Sequence, residues 1–441
     1  MRKLLAVWIT KILIFVGKIA GKKGSSTPGI FALKICPDIL RILSKQIKNE
    51  IIVVCGTNGK TTTNNLLNTI ISSSGKKVVC NNVGANMLPG VVTAFVEKTG
   101  FSGNLCADYA CIEIDEISAV KVFAHFEPDY MILTNLFRDQ LDRYGEIDIT
   151  LDYLHRAVSM CKNTKLILNA DDPLVASFGR KAQKECYYFG IGEDAGIALN
   201  ETKEGRFCTF CGEELEYDFY HYSQLGVYRC PKCDFKRPEV NFEALQINLD
   251  NGVDFNVGKK HISVKYRGFY NIYNILAAYS AVSLCNIDVD NLNEILGDYK
   301  PQIGRMEEFV INGKQVVFNL AKNPAGFNQA ISTVAGDKRR KNIIVVINDN
   351  AGDGKDVSWL WDVDFERFNS VNANKFFFSG IRRDDVAVRF KYAEIMNFDV
   401  LESIKEAVME GLEEESEVLY VLVNYTALFT THDILKGLEA E

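Results

Sequence analysis

From residue 50 onward, short apolar runs alternate with amphipathic stretches. Residues 51–55, Ile-Ile-Val-Val-Cys, read as a buried strand and residues 60–73 as a helix. Further strands are expected at 77–80, 109–114, 130–134 and 165–168. Strands separated by helices argue for a parallel, doubly wound α/β sheet. Between 205 and 238 the texture changes to cysteine, aromatic and turn residues, and helical periodicity returns at 271–284. Pro301-Gln302-Ile303-Gly304 reads as a linker. A second αβ pattern follows it, with strands at 315–318, 342–347, 375–378 and 418–423. The run Lys338-Arg339-Arg340-Lys341 reads as a solvated helix end before a strand.

A chain of 441 residues exceeds one ordinary core. The pattern divides it into an N-terminal lead-in (1–48), a central α/β domain (49–302) with an insert at 205–238, and a smaller C-terminal α/β domain (303–441). Residues 1–20 are apolar, with Lys11 and Lys18 interrupting the run and no A-x-A-like cleavage site. No stretch reaches the roughly 20 apolar residues needed to span a bilayer. The segment therefore reads as an amphipathic helix. Two readings stay open: packing on the protein's own core, or lying on a membrane surface. Residues 21–29 form a flexible loop by composition.

An apolar share of 47% and a charged share of 24% exclude wholesale disorder. The formal net charge of −7 argues against a broad basic surface that reads nucleic acid. Of the 12 cysteines, eight are scattered, several in apolar runs (Cys55, Cys80, Cys111), where they act as small hydrophobes. Without a disulfide framework, a cytoplasmic setting is expected.

The strongest chemical signal is Gly56-Thr57-Asn58-Gly59-Lys60-Thr61-Thr62, a phosphate-binding loop between a strand and a helix. Its glycines let the backbone approach phosphate, and amides at the helix N-terminus point at the anion. Lys60 would reach the terminal phosphates, and the Thr61 hydroxyl would ligate Mg²⁺. The general spacing is not met, because Val54 stands where its first glycine would be. Glu113, Asp115 and Glu116 cluster at the end of the next strand but one, where an open sheet binds ligands. Periodicity does not choose between Glu113 and Asp115 as the Mg²⁺ carboxylate. The polar stretch from Asn135 to Gly145 directly follows another strand and reads either as a ligand-positioning segment or as a helix cap. Cys208-x-x-Cys211 and Cys230-x-x-Cys233 have the spacing of a zinc ribbon. Four thiolates leave no position for water, so the zinc would be structural, with His221 a bystander between the knuckles.

Together these residues resemble the Mur ligase family, the ATP-dependent amide-forming enzymes of peptidoglycan synthesis, and its folylpolyglutamate synthase relatives. The similarity rests on the loop at Gly56–Thr61, on Glu113 and on Asn135 through Tyr144. It extends to Asn169-Ala170-Asp171-Asp172-Pro173, to Gly268 through Ala278, and to Gly304-Arg305-Met306-Glu307. It implies ATP and Mg²⁺ as cofactors, with Thr61 and Glu113 on the metal and Lys60 on the phosphoryl charge. Asn271 would contact adenine, and Arg305 would reach the phosphates on domain closure. Three features depart from the family. Only about 50 residues precede the loop, too few for a UDP-sugar-binding domain. Gln140 replaces a histidine tied to a second metal site, and Asn319-Leu320-Ala321-Lys322-Asn323-Pro324 stands where D-Y-A-H-N-P is frequent.

The short lead-in, Arg138 through Glu146, the cysteine quartet and Asn424-Tyr425-Thr426-Ala427-Leu428 resemble the MurT-type branch of that family. That resemblance implies amidation of the D-glutamate α-carboxylate in the lipid II stem peptide. The ammonia would come from a separate, GatD-like glutaminase in a heterodimer, with possible contact to the inner face of the membrane. It also implies that Asp349, opening the loop Asn348–Asp356, orients the partner's catalytic histidine; the plainer reading of that loop is a surface turn. The alternative is a stand-alone Mur or folylpolyglutamate-type ligase that adds an amino acid to a carboxylate.

Overall fold

The computed structural model describes residues 1–19, 26–81, 85–138, 147–196, 205–250, 252–266, 268–287, 290–299 and 303–440. Gln140 and the rest of its segment, 139–146, lie outside the described residues. The chain forms two compact units. The first holds Met1–Leu136, Ile147–Ala198 and Gly205–Tyr299, and the second is built on Lys300–Glu441.

In the first unit the strands are β1 (Ile51–Cys55), β2 (Val78–Cys80), β3 (Tyr109–Glu113), β4 (Tyr130–Leu133), β5 (Lys165–Asn169) and β6 (Cys186–Ile191). They continue with β7 (Glu216–Tyr222), β8 (Leu225–Arg229), β9 (Phe242–Asn248), β10 (Val253–Val257) and β11 (Lys260–Val264). All but β7 and β8 join one sheet in the order β11-β10-β9-β6-β5-β4-β1-β3-β2. Every residue of β1 is buried, as expected of a central strand covered by helices on both faces. Its neighbours β3 and β4 run parallel to it, with Val54 opposite Glu113 and Cys55 opposite Leu133. The loops leaving these three strands therefore emerge side by side at one sheet edge, where chain order reverses direction across the sheet.

In the second unit β12 (Glu307–Ile311), β13 (Lys314–Leu320), β14 (Lys341–Val346), β15 (Ala373–Ser379), β16 (Phe398–Val400) and β17 (Val418–Val423) form a second sheet. Its order is β12-β13-β17-β14-β15-β16. Two apolar clusters cover its faces, one around Phe327, Phe365 and Phe390, the other around Phe318, Val408 and Leu435.

Both sheets are mixed rather than wholly parallel, which corrects the sequence expectation. Val257 pairs with Lys260 and Ile311 with Lys314, leaving two-residue turns at Gly258-Lys259 and Asn312-Gly313. Turns this short connect only antiparallel strands, and both Asn312 and Gly313 have positive φ (51° and 75°). A second correction concerns Lys341. It is fully buried at the start of β14, with its ammonium donating to the Asp337 carbonyl, so the last residue of the basic run is not solvated, whereas Lys338 is exposed.

The N-terminal helix, Arg2–Ile19, packs on the helices Thr27–Ile35 and Leu88–Lys98 through Ala6, Val7 and Thr10. Among the described residues, no helix is long and apolar enough to cross a membrane.

Candidate nucleotide and metal sites

The loop after β1 is braced by the two residues that follow β4. Thr134 Oγ1 donates to the Asn58 carbonyl (2.7 Å), and the Asn58 amide donates to Asn135 Oδ1 (2.8 Å). The Thr57 amide donates to the Asn135 carbonyl (2.9 Å). Glycine is required at two positions. A Cβ on Gly56, at φ 120°, would lie 2.2 Å from Thr134 Oγ1, and one on Gly59, at φ 83°, would lie 2.2 Å from Asn274 Oδ1. Gly59 caps the helix Lys60–Ser73, so Thr61 and Thr62 stand half-buried in its first turn. The first-turn amides and positive end of this helix, set behind the braced loop, make an anion cradle.

Lys60 is buried and donates to the carbonyls of Gly56 and Thr57 (3.4 Å for Thr57) and to Glu116 Oε1 (2.9 Å). The same Glu116 oxygen accepts from the Gly56 amide (2.9 Å). Burial alone would pull the Lys60 pKa down. The carboxylates of Glu116, Glu113 and Asp115 outweigh that and raise it, so the ammonium stays charged.

Glu113 ends β3 and is held differently. Its backbone is gripped by the Asn81 side chain, which donates to its carbonyl and accepts from its amide (2.8 Å each). Oε1 accepts from Asn86 Nδ2 (3.1 Å), while Oε2 is buried with no hydrogen-bond partner among the described residues. A buried carboxylate oxygen left without a donor beside a phosphate loop suits a hard divalent cation. The Glu113 carboxylate thus has the chemistry that suits Mg²⁺.

Asn271 and Asn274 project from the first turns of the helix Tyr270–Leu284, which packs on Lys60–Ser73. Asn274 Nδ2 donates to Asn271 Oδ1 (3.1 Å), and its own oxygen lies against Gly59. The adenine-binding residue expected at 271 is thereby brought to the loop. Arg305 belongs to the second unit, in the turn before β12.

The four sulfurs of Cys208, Cys211, Cys230 and Cys233 lie within 4.8 Å of one another. Two pairs approach more closely, Cys208 to Cys233 at 3.6 Å and Cys211 to Cys230 at 3.4 Å. Tetrahedral zinc with Zn–S bonds of about 2.3 Å needs sulfurs about 3.8 Å apart. The quartet therefore fits zinc. Around it Leu215, Tyr228 and Phe235 form a small core against Ala176 of the helix Pro173–Ala182.

Asp171, which carried no assigned role in the sequence reading, ties this insert down. Fully buried, it accepts from Arg237 Nε (2.7 Å), Tyr273 Oη (2.7 Å) and the Ile191 amide (2.8 Å). Its neighbour Asp172 caps the helix Pro173–Ala182 and accepts from the Leu136 amide (2.8 Å). His221 is also buried, 3.9 Å from Asp171, and takes no part in the cysteine quartet.

In the second unit the C-terminal ends of β14, β15 and β17 gather a polar group. Asp349 is buried and accepts from Arg382 Nη2 (2.8 Å) and Lys355 Nζ (3.4 Å). Burial pushes its carboxyl up, but these two cations outweigh it and hold the group below the usual carboxylate range. Asn424 Nδ2 donates to the Asn348 carbonyl, and Asp353 accepts from the Thr426 amide (2.8 Å). Asn323 caps the helix Pro324–Gly336 by accepting from the Gly326 amide (2.8 Å).

Sequence reasoning passed over Glu116 as a specific partner of Lys60, and Asn274 as the side chain against Gly59. Both contacts join segments far apart in the chain, so no local spacing reports them.

Known proteins share this arrangement. Residues 54–282 match the Mur ligase middle domain, and residues 320–428 match the MurT ligase C-terminal family. The chain is 34% identical to the lipid II isoglutaminyl synthase (glutamine-hydrolyzing) subunit MurT of Staphylococcus aureus (strain COL), across 97% of this chain and 96% of that protein. Its Streptococcus pneumoniae counterpart is 32% identical, across 94% and 92%. Among solved structures, a pseudomurein peptide ligase type C from Methanothermus fervidus superposes with a TM-score of 0.71 at 23% identity, covering 90% of this chain and 80% of that one. MurF from Acinetobacter baumannii gives 0.68 at 15%, covering 93% and 80%. These two show a shared fold. With a family match over more than half its length and relatives above 30% identity along nearly all of it, the chain belongs to the Mur ligase family, among its MurT members.

Proposed function

We propose that this chain is the synthetase subunit of a two-component amidotransferase. It would use ATP to convert the α-carboxylate of D-glutamate in the lipid II stem peptide to the amide, giving D-isoglutamine. The near-full-length likeness to subunits named for lipid II isoglutaminyl synthesis carries the reading. The braced phosphate loop beside the unpartnered oxygen of Glu113 supports its chemistry.

A carboxylate resists ammonia because oxide is a poor leaving group. Attack of a carboxylate oxygen on the γ-phosphorus of ATP expels ADP and gives an acyl phosphate. Ammonia then adds to the carbonyl carbon, loses a proton and expels inorganic phosphate. The protein's part is positioning and charge neutralisation. The loop from Gly56 through Thr62 would cradle the phosphates, chiefly with the amides at its helix end, and Lys60 would balance the charge that builds on the transferring group. Thr61 and Glu113 would hold Mg²⁺, which when bound screens the phosphate oxygens. Asn271 would meet the adenine, and Arg305 is assigned to the phosphates. The cysteine quartet would hold a structural zinc, which gives the insert, whose own core is small, its stability.

Ammonia would come from a GatD-like glutaminase partner. Asp349, kept ionised by Arg382 and Lys355, is the carboxylate proposed to orient the partner's catalytic histidine. The purified chain supplied with ATP and ammonium is expected to amidate lipid II at the D-glutamate α-carboxyl, read by tandem mass spectrometry. Turnover that instead requires an added amino acid would assign a stand-alone ligase.

A further inference from the structure

The N-terminal helix Arg2–Ile19 turns an apolar face outward. At about 100° per residue, Leu5, Trp8, Ile12, Phe15, Val16 and Ile19 fall within one sector about 100° wide. All six are exposed, Ile12 at 60% and Phe15 at 65%, while Ala6, Val7 and Thr10 on the other side are buried. A stripe of this width normally faces a core, and here it faces solvent.

Charge indicates what covers it. The helix contains no acidic residue; along one edge of the stripe stand Lys11, which donates to the Glu97 carbonyl (3.0 Å), and Lys18, which pairs with the exposed Glu97 carboxylate (2.8 Å), with Arg2 near the other edge. Residues 1–48 contain ten lysines and arginines against one acid, Asp38, in a chain of formal net charge −7. Trp8 stands within the stripe with its indole N–H donating to the Phe101 carbonyl (2.8 Å), and Phe101 is itself exposed. An apolar stripe with a basic rim and a tryptophan matches the headgroup boundary of an anionic bilayer. A protein partner would need acids to answer that rim, and a second copy of this helix would bring like charge.

We propose that this face of Arg2–Ile19 binds the surface of an anionic membrane, lying in its plane. The face rests on its own geometry; the reading of a lipid-linked acceptor supplies its purpose.

Co-sedimentation of the full chain with phosphatidylglycerol/phosphatidylcholine vesicles, and with phosphatidylcholine vesicles alone, tests this. Binding is expected to the anionic vesicles and to weaken with salt. Removing one basic residue, as in Arg2→Ala, should weaken it on the order of fivefold. Ile12→Glu with Phe15→Glu should weaken it by more than about tenfold. Both side chains already face water, so an unchanged unfolding temperature keeps the comparison fair. Unchanged amidation of a short-chain, water-soluble acceptor by that variant separates the membrane face from the catalytic reading. Equal vesicle binding by wild type and variant overturns the proposal. So does a vesicle-indifferent chain that self-associates through this face.

Discussion

Glu113 and Glu116 stand three residues apart and meet the phosphate loop in different ways. Glu116 spends one oxygen on two donors, the Gly56 amide and Lys60, that a phosphate loop otherwise offers to its anion. Glu113 keeps an oxygen without a donor among the described residues. A phosphate entering the loop therefore competes with Glu116, whereas a cation would complete Glu113. Glu116→Gln keeps the shape and removes the charge, leaving the buried Lys60 ammonium only the more weakly acting Glu113 and Asp115 until a nucleotide arrives. The variant should unfold earlier than wild type without nucleotide and gain more on adding ADP and Mg²⁺. Equal thermal shifts in both proteins would rule out this competition. Asp349 calls for a different readout, because its proposed role lies with the partner. With glutaminase present, Asp349→Asn should lose on the order of a hundredfold in glutamine-dependent amidation, the range of a lost general-base contribution. Ammonium-dependent turnover by the chain alone should stay near wild type. A parallel fall in both would reduce the residue to a structural partner of Arg382.

At the scale of elements, what the sequence reported depended on how local its physics was. The buried strand β1 and the helix Lys60–Ser73 were legible because an apolar run and a glycine cap are properties of neighbouring residues. The antiparallel edges were missed because no strands were expected at 242–264 or 307–311, although Asn312-Gly313 is a strong hairpin signal. Lys341 was misplaced because a basic run looks solvated, whereas this residue opens the buried strand β14 and its ammonium donates to the Asp337 carbonyl four residues back. The cysteine quartet was fully legible from spacing, but its anchorage was not. Asp171, Arg237 and Tyr273 come from three separate segments, and only folding brings them together. One zinc per chain is expected by metal analysis, and none in Cys208→Ser with Cys230→Ser. Structural zinc of this kind contributes apparent energies of about 10–16 kcal/mol, so that variant should also expose the insert to protease. A metal-free wild type of unchanged stability would contradict the assignment.

For the whole molecule, the proposal divides one reaction into activation of the acid, assigned to the first unit, and delivery of ammonia, assigned to Asp349 in the second. The phosphate loop and the quartet were readable from residues alone, and the division of labour rests on the family to which the chain belongs. What the proposal asserts beyond that membership is chemical: the carboxylate itself is phosphorylated before nitrogen arrives. Lipid II carrying ¹⁸O in the D-glutamate α-carboxylate tests this directly, in a reaction with the purified chain, ATP and ammonium. One ¹⁸O atom is expected in each inorganic phosphate released, because the bridging carboxylate oxygen leaves with the phosphoryl group. Amide product accompanied by unlabelled phosphate would show that ATP hydrolysis and amidation are not joined through an acyl phosphate.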